Sequence, residues 1–298
     1  MRRFLALSRS AHGALDIAMP GFVALLWLGD FPPWRVLLLC ALAGGAGYTA
    51  IYALNDLVGA RTDREKFAGH GINAGYSVEA SSLRYPLARN LIGPRGAFAW
   101  FGFWYGVAMA AAYLLNPAIV VITVAAGLLE VVYCKLLKVT YWRTLVSGLV
   151  KSAGPIAAVY AVDGDPSLSR LLLLLVWLML WEIGGQNIPA DWNDLEEDRR
   201  IGAQTIPLVL GPRVAAVLVV LTLALAVVAS VFLPLVSPLA LGLPYQITTL
   251  VSGCCFLLLP GVRLARTLDG RRAARLFDSA SWYPLAQLTI ILAFVLAK

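Results

Sequence analysis

Residues 171 to 200 read LLLLLVWLMLWEIGGQNIPADWNDLEEDRR. The apolar run from Leu171 to Trp181 is followed by five acidic side chains within eight residues, in a chain of which only 14% of the residues are charged. The run indicates a helix buried in a membrane, and the acids indicate that this helix ends in water. If the helix continues through Asp198, the side chains of Asp191, Asp194 and Asp198 share one face, and the last two lie about 6 Å apart along its axis.

This spacing favours a metal site. Two carboxylates one helical turn apart can hold a hard cation, and Mg²⁺ prefers a few carboxylates together with substrate phosphate oxygens. We therefore predict Asp191, Asp194 and Asp198 as ligands of Mg²⁺, and Asp194 and Asp198 as catalytic residues. The alternative interpretation is an acidic loop that only keeps the helix end in water.

Composition places the chain among integral membrane proteins. Its 298 residues are 60% hydrophobic, with a mean hydropathy of +0.77, far from an ordinary soluble domain. Apolar runs long enough to cross a bilayer recur from end to end, and we predict a single all-α transmembrane domain over residues 1–298, with nine helices around an apolar cavity and a polar cytoplasmic rim. The predicted spans are about 13–29, 36–58, 96–115, 117–134, 144–162, 170–190, 213–234, 243–262 and 279–297.

Basic residues set the predicted orientation. With the N-terminus inside, all but four of the 24 lysines and arginines fall on the cytoplasmic side, as the positive-inside rule requires. This predicts a plasma-membrane or inner-membrane protein with a cytoplasmic active site. The bias also accounts for the net charge of +7, so no nucleic-acid partner is expected, and no obligate protein partner is evident.

The second predicted span ends in another charged stretch, YALNDLVGARTDREK over residues 52–66. The topology puts this stretch on the same side of the membrane as Asp194 and Asp198. Basic side chains at Arg61, Arg64 and Lys66 are suited to phosphate oxygens. Together the two stretches predict a clamp for a diphosphate and Mg²⁺, whereas a helix C-cap is the alternative role for Asn55 and Asp56.

A few ionisable residues lie inside predicted spans, where burying a charge is costly. Lys151 is the best candidate among them for binding a diphosphate or an acceptor carboxylate, and the alternative is a structural pair with Glu130 or Glu182. Asp16 is interpreted either as a pocket group paired with His12 or a substrate, or as part of a wet helix start near the lipid headgroups.

The chain resembles the UbiA superfamily of intramembrane prenyltransferases over nearly its whole length. The first signature of that family appears as Asn55-Asp56-Leu57-Val58-Gly59-Ala60-Arg61-Thr62-Asp63. The second appears as Asp194 to Asp198, followed by Gly202, Thr205 and Pro207. Two weaker matches are Tyr133-Cys134-Lys135-Leu136-Leu137-Lys138 and the loosened segment Arg84-Tyr85-Pro86-Leu87.

The resemblance implies Mg²⁺-dependent transfer of a prenyl group from an isoprenoid diphosphate to an aromatic or other lipophilic acceptor within the membrane, among membrane lipids. It implies a diphosphate site formed by Asn55, Arg61, Arg64, Arg84, Lys138 and Lys151. It adds Asp56 and Asp63 to the metal ligands, and Lys138 and Tyr133 to the catalytic residues. Tyr133 would stabilise an allylic cation through its ring, or merely pack.

Gly59 departs from the family pattern, because it stands where the family has an aspartate that is taken as an Mg²⁺ ligand. The resemblance then leaves three arrangements open. Asp63 binds the metal with phosphate oxygens, Asp56 turns in to help, or one metal is held by Asp194 and Asp198 alone. Gly59 is also able to end its helix.

Two other functions share these features. A terpene cyclase on the same scaffold ionises a prenyl diphosphate but uses no external acceptor. A transporter or non-catalytic lipid-binding protein is less favoured, because transporters typically carry their polar sites at mid-membrane and the polar clusters here are predicted at the rim.

The topology is testable by cysteine labelling. In a variant whose four native cysteines are replaced, we expect a membrane-impermeant thiol reagent applied outside the cell to label a cysteine at Asp165 but not one at Glu197. Detergent permeabilisation is the control, since it exposes both positions. The reverse labelling pattern would overturn the predicted orientation.

Overall fold

Nine helices in this chain are long and apolar enough to cross a membrane, within residues 1–67 and 83–298, which the computed structural model describes. In chain order they are α1 (Ser10–Leu28), α2 (Trp34–Phe67), α3 (Pro94–Leu115), α4 (Pro117–Lys138), α5 (Arg143–Val162), α6 (Leu168–Asn193), α7 (Gly211–Ser230), α8 (Gly242–Thr267) and α9 (Gly270–Leu296). The predicted all-α fold with nine spans is confirmed.

The outer surface of the bundle is apolar. Exposed side chains such as Leu38, Phe103, Val121 and Val217 cover it, whereas most soluble proteins keep large apolar patches off their surface. Helices suit such surroundings, because most of their backbone hydrogen bonds are made within the helix.

The two halves of the bundle are packed differently. Helices α6 to α9, together with α1, form a solid core around buried side chains such as Phe22, Trp177, Leu223 and Tyr283. Helices α2 to α5 enclose a cavity against α1, α6 and α9, and no cavity-lining residue in the described chain comes from α7 or α8. The cavity therefore lies in one half of the bundle, and the filled core lies in the other.

Most predicted span boundaries lie within a few residues of the observed ones. The tight turn at Asn116 is confirmed, since the Asn116 side chain accepts a hydrogen bond of 2.9 Å from the backbone N–H of Ala118. Two boundaries were wrong. α2 was predicted to end at residue 58 but continues to Phe67, because buried partners stabilise the charged residues of its last turns. α9 begins at Gly270 rather than 279, where the Asp269 side chain caps its first turn.

Helix α6 contains a wide turn over Glu182–Asn187, a short π-helical segment. Its Gly184 lies against α7 so closely that an added Cβ would stand 2.2 Å from Thr222 Oγ1 and 3.0 Å from Leu223 Cγ. The absent side chain of Gly184 therefore permits the close approach of α6 and α7.

We expect Gly184→Ala to destabilise the protein by about 1–3 kcal/mol, the usual cost of overpacking a filled core. Gly45→Ala is the matched control, because no heavy atom lies within 4 Å of a Cβ added there. Thermal unfolding of both purified variants in detergent measures the difference. Equal melting temperatures would contradict the proposed close contact.

Candidate active site

The hollow half of the bundle contains a cavity of about 650 Å³ that is polar at one end and apolar at the other. At the apolar end, Ala24, Leu25, Leu37 and Leu292 line it. At the other end lies a group of charged and amide side chains that we call the polar rim, formed by Asn55, Asp63, Lys66, Arg84, Arg143, Asp191, Asp194 and Asp198.

Three aspartates that follow the apolar part of α6 each lie beside a cation from another element. Lys66 Nζ of α2 is 2.6 Å from Asp198 Oδ1, and Arg84 Nη2 is 3.8 Å from Asp194 Oδ1. Arg143 Nη2, at the start of α5, donates a hydrogen bond of 2.8 Å to Asp191 Oδ1. The two acidic stretches predicted at the ends of α2 and α6 therefore lie together.

The helix does not run unbroken through these aspartates. It stops at Asn193, and a short new helix begins at Leu195 and ends at Arg200. The interpretation of three carboxylates on one continuous helix face was therefore wrong at Asp194. Burial raises the pKa of Asp198, and the Lys66 ammonium opposes that shift.

Two of the residues predicted from the first signature lie beside Arg9, which sequence reasoning missed. Asp56 is buried, does not line the cavity, and has its Oδ1 3.7 Å from Arg9 Nη2. Asn55 does line the cavity, accepts a hydrogen bond from Arg9 and donates one to Glu130 Oε1. Of the two predicted acids of α2, only Asp63 therefore faces the cavity.

Tyr133 lines the cavity beside Asp191, as its prediction as a site residue requires. The Arg143 guanidinium lies over its ring, with 4.3 Å from Cζ to the ring centroid. The Tyr133 hydroxyl accepts hydrogen bonds from Arg143 Nη2 at 2.8 Å and from Asn187 Nδ2 at 3.0 Å. These contacts fix the position of Arg143, a residue that no sequence motif indicated.

Three predicted cations do not reach the cavity. Arg61, Arg64 and Lys138 are exposed and are absent from its lining. Arg61 and Lys138 lie instead beside Glu65. The cations that do line the polar end are Arg9, Lys66, Arg84 and Arg143.

Lys151 lies deeper in the bundle and is held by α1. Its Nζ is 2.7 Å from Asp16 Oδ2 and 3.2 Å from Tyr52 Oη, and His12 Nε2 lies 3.6 Å from Asp16 Oδ2. The alternative in which Lys151 pairs with Glu130 or Glu182 was therefore wrong. Asp16 is 1% exposed, so its placement in a wet helix start was wrong as well.

The aspartates of the polar rim fit a hard cation such as Mg²⁺. In the described part of the chain, no three acidic, histidine or cysteine side chains already converge as a ligand group, because Lys66, Arg84 and Arg143 pair with them. However, Asp191 Oδ2 is buried and has no hydrogen-bond donor among the described residues. An anionic oxygen of this kind is the ligand that Mg²⁺ prefers.

The model of the UbiA prenyltransferase family matches residues 17–289, so this chain belongs to that family. Digeranylgeranylglyceryl phosphate synthase of Pyrococcus horikoshii is 27% identical over 179 residues, which are 59% of this chain and 63% of that enzyme. The enzyme of the same name from Thermococcus gammatolerans is 25% identical over 243 residues, or 81% of each chain. This chain thus spans less than two thirds of the length of the first of these relatives.

Solved structures show the same fold. The apo structure of a UbiA homologue from Aeropyrum pernix K1 is 21% identical and superimposes with a TM-score of 0.73 over 96% of this chain and 97% of that one. A UbiA homologue from Archaeoglobus fulgidus, solved bound to GPP and Mg²⁺, is 14% identical and gives a TM-score of 0.69 over 97% of this chain and 99% of that one.

Gly59 gives a direct test of the metal site. It lies inside α2 with no left-handed backbone angle, so the prediction that it ends the helix was wrong. A Cβ added there would lie 3.2 Å from Asp63 Oδ2, and Gly59→Asp would therefore put a second carboxylate beside the first. If Mg²⁺ binds at the polar rim, the concentration for its half-maximal binding, measured by titration calorimetry, should fall about tenfold, since added ligand charge strengthens binding of a hard cation.

Gly59→Asn is the matched control, because it has the same shape without the charge. The Asn variant should be about as stable as the parent, since Asn exceeds Gly in helix propensity by only a few tenths of a kcal/mol. The Asp variant should be less stable than the Asn variant without Mg²⁺, because like charges four residues apart on a helix repel each other. An unchanged Mg²⁺ requirement in a folded Gly59→Asp variant would show that position 59 does not contact the metal.

Proposed function

We propose that this protein transfers a prenyl group from an isoprenoid diphosphate, with Mg²⁺, to an aromatic or other lipophilic acceptor within the membrane. The observation that carries this proposal is a continuous cavity that joins the polar rim to an apolar interior. A prenyl diphosphate has the same division, with a charged head and a long apolar tail. Membership of a prenyltransferase family supports the assignment.

The polar rim supplies both charges that a diphosphate–metal complex needs. Asp63, Asp191, Asp194 and Asp198 would hold the metal, and bound Mg²⁺ would supply Lewis-acid stabilisation of the negative charge on the leaving diphosphate. Lys66, Arg84 and Arg143 are the cations now paired with three of these aspartates. In this proposal they turn to the phosphate oxygens once a metal occupies the carboxylates.

The rest of the cavity suits the tail and the reacting carbon. Small and apolar side chains, among them Ala108, Ala112, Ile119 and Leu288, line it beyond the rim, and they exclude water from an allylic cation. We propose Tyr133 as the ring beside that cation, because it lines the cavity and is held by Arg143 and Asn187. The exposed Lys138 has no part in this mechanism.

The relatives support the prenyl donor more than the acceptor. The archaeal relatives carry the name digeranylgeranylglyceryl phosphate synthase, and the Archaeoglobus fulgidus structures hold DMAPP or GPP with Mg²⁺. We extend the isoprenoid diphosphate and the metal to this chain as proposals. We also propose a plasma-membrane or inner-membrane location with the polar rim in the cytoplasm, on the basis of the distribution of lysine and arginine.

We expect Asp194→Asn and Asp198→Asn each to lower turnover of geranyl diphosphate at least about 100-fold, because each removes an anionic group that would hold the charge-stabilising metal. The Mg²⁺-dependent part of geranyl diphosphate binding should be lost as well, and EDTA should abolish it in the parent. Glu196→Gln is the matched control, since Glu196 is an exposed acid of the same short helix that does not line the cavity.

Product analysis with and without an added aromatic acceptor separates prenyl transfer from cyclisation, because a cyclase needs no acceptor. Near-normal turnover in a folded Asp194→Asn or Asp198→Asn variant at saturating Mg²⁺ would remove that residue from the site. Unchanged geranyl diphosphate affinity in EDTA would contradict the proposed role of the metal.

A further inference from the structure

A second group of polar side chains lies between the polar rim and the apolar end of the cavity. On α5, Ser147 and Lys151 follow Arg143 by one and two helical turns, which places them about 6 and 12 Å deeper along the axis. We call this group the deep polar cluster; its members are His12, Asp16, Tyr52, Ser147, Lys151 and Glu182, and all but Asp16 line the cavity.

Glu182 has one carboxyl oxygen without a hydrogen-bond partner among the described residues. Glu182 is only 6% exposed. Its Oε1 accepts a hydrogen bond of 2.7 Å from Ser147 Oγ. Its Oε2 is buried and has no donor within residues 1–67 and 83–298. A buried oxygen without a partner is costly, so this atom points to a donor that a bound molecule would supply.

The backbone at Glu182 is also irregular. Glu182 begins the π-helical turn of α6 that ends at Asn187, and such turns are frequent at functional sites. Glu182, Gln186 and Asn187, all from this one turn, line the cavity. The wide turn therefore contributes three polar side chains to the same wall.

The deep polar cluster is less suited to an anionic head group than the polar rim. The Lys151 ammonium is paired with Asp16 inside the cluster, and Glu182 adds a second acidic side chain there. The cations Arg9, Lys66, Arg84 and Arg143 line the polar end above. A diphosphate is favoured at the rim, and an uncharged hydrogen-bond donor is favoured beside Glu182.

We propose that Glu182 binds a hydroxyl group of the prenyl acceptor, so that the deep polar cluster is the subsite for an uncharged, hydroxyl-bearing amphiphile such as a phenol or an alcohol. The acceptor hydroxyl donates its hydrogen bond to Glu182 Oε2, and its apolar body extends along the cavity wall. This inference rests on the proposed function, because the reacting carbon of a prenyl group whose diphosphate lies at the rim would face this subsite.

The experiment measures how much radiolabelled 4-octylphenol binds to the purified full-length protein in the absence of diphosphate. Specific binding is the part that excess unlabelled 4-octylphenol displaces. Two competitors have the same apolar body: the methyl ether of 4-octylphenol, which only accepts hydrogen bonds, and 4-octylbenzoate, which is an anion. We expect the phenol to compete at least about tenfold better than either, because the ether leaves Oε2 unpaired and the benzoate is repelled. Equal competition by the ether, or better competition by the benzoate, would overturn the proposal.

Glu182→Gln gives the sharper comparison. The amide keeps an oxygen for Ser147 and presents an NH₂ group where Oε2 was, so it donates a hydrogen bond to the ether oxygen. In this variant, the ratio by which the phenol competes better than its methyl ether should fall from about ten or more to about one. Glu130→Gln is the matched control, since Glu130 is another buried acid of the same cavity, but its Oε1 is bonded to Asn55 of the polar rim and to Cys134. This variant should keep the preference.

A folded Glu182→Gln variant that retains the parent preference would overturn the assignment to Glu182. If that variant does not fold, the ratio of phenol to ether competition in the parent protein decides the question. Mg²⁺-dependent geranyl diphosphate binding, measured on the same preparation, tests the proposed function separately. If geranyl diphosphate does not bind but phenol binding still depends on Glu182, prenyl transfer is refuted and the assignment of the phenol subsite is retained.

Discussion

Burying a charge in a membrane bundle is costly unless the charge is paired, and buried ion pairs join the helices of this protein. An unpaired charge in hydrocarbon or in a dry interior costs several kcal/mol. The pairs Lys66–Asp198, Arg143–Asp191 and Lys151–Asp16 each join two different elements of the chain. They join α2 to the segment after α6, α5 to α6, and α1 to α5, and these are the walls of the cavity.

The same pairs explain how the site can respond to a ligand. Removing one member of a buried pair costs about 3–5 kcal/mol when nothing replaces it. In the proposed function, a diphosphate with its metal would replace both members at once, because the metal would neutralise the carboxylates while the phosphate oxygens would receive the lysine and arginines. The charges of the polar rim would thus be paired both without a substrate and with one, and only the partners of its cations would change.

Hydropathy was sufficient to predict the nine spans, since a run of about 20 apolar residues allows few alternatives. It did not predict how far α2 extends, because the last turns of α2 are polar and depend on Arg9 and Asp198, which are distant in sequence. The same extension decides which basic residues reach the site. On a helix that continues to Phe67, Asp63 and Lys66 share the inner face, whereas Arg61 and Arg64 point outward. Arg143 was missed because its partner Asp191 is 48 positions away in the chain and no local pattern marks it.

Gly59 acquires its meaning from this arrangement. Among the described residues of α2 that line the rim, Asp63 and Lys66 carry opposite charges, so this side of the site adds almost no net charge. The other side carries Asp191, Asp194 and Asp198, with Arg143 and Arg84 beside two of them. Because a divalent cation is held by the density of negative charge, a metal in the proposed site would be attracted more strongly to Asp191, Asp194 and Asp198 than to α2. With glycine at position 59, the two sides of the proposed site are unequal, and Lys66, rather than a second carboxylate, would be the group of α2 that contacts a phosphate.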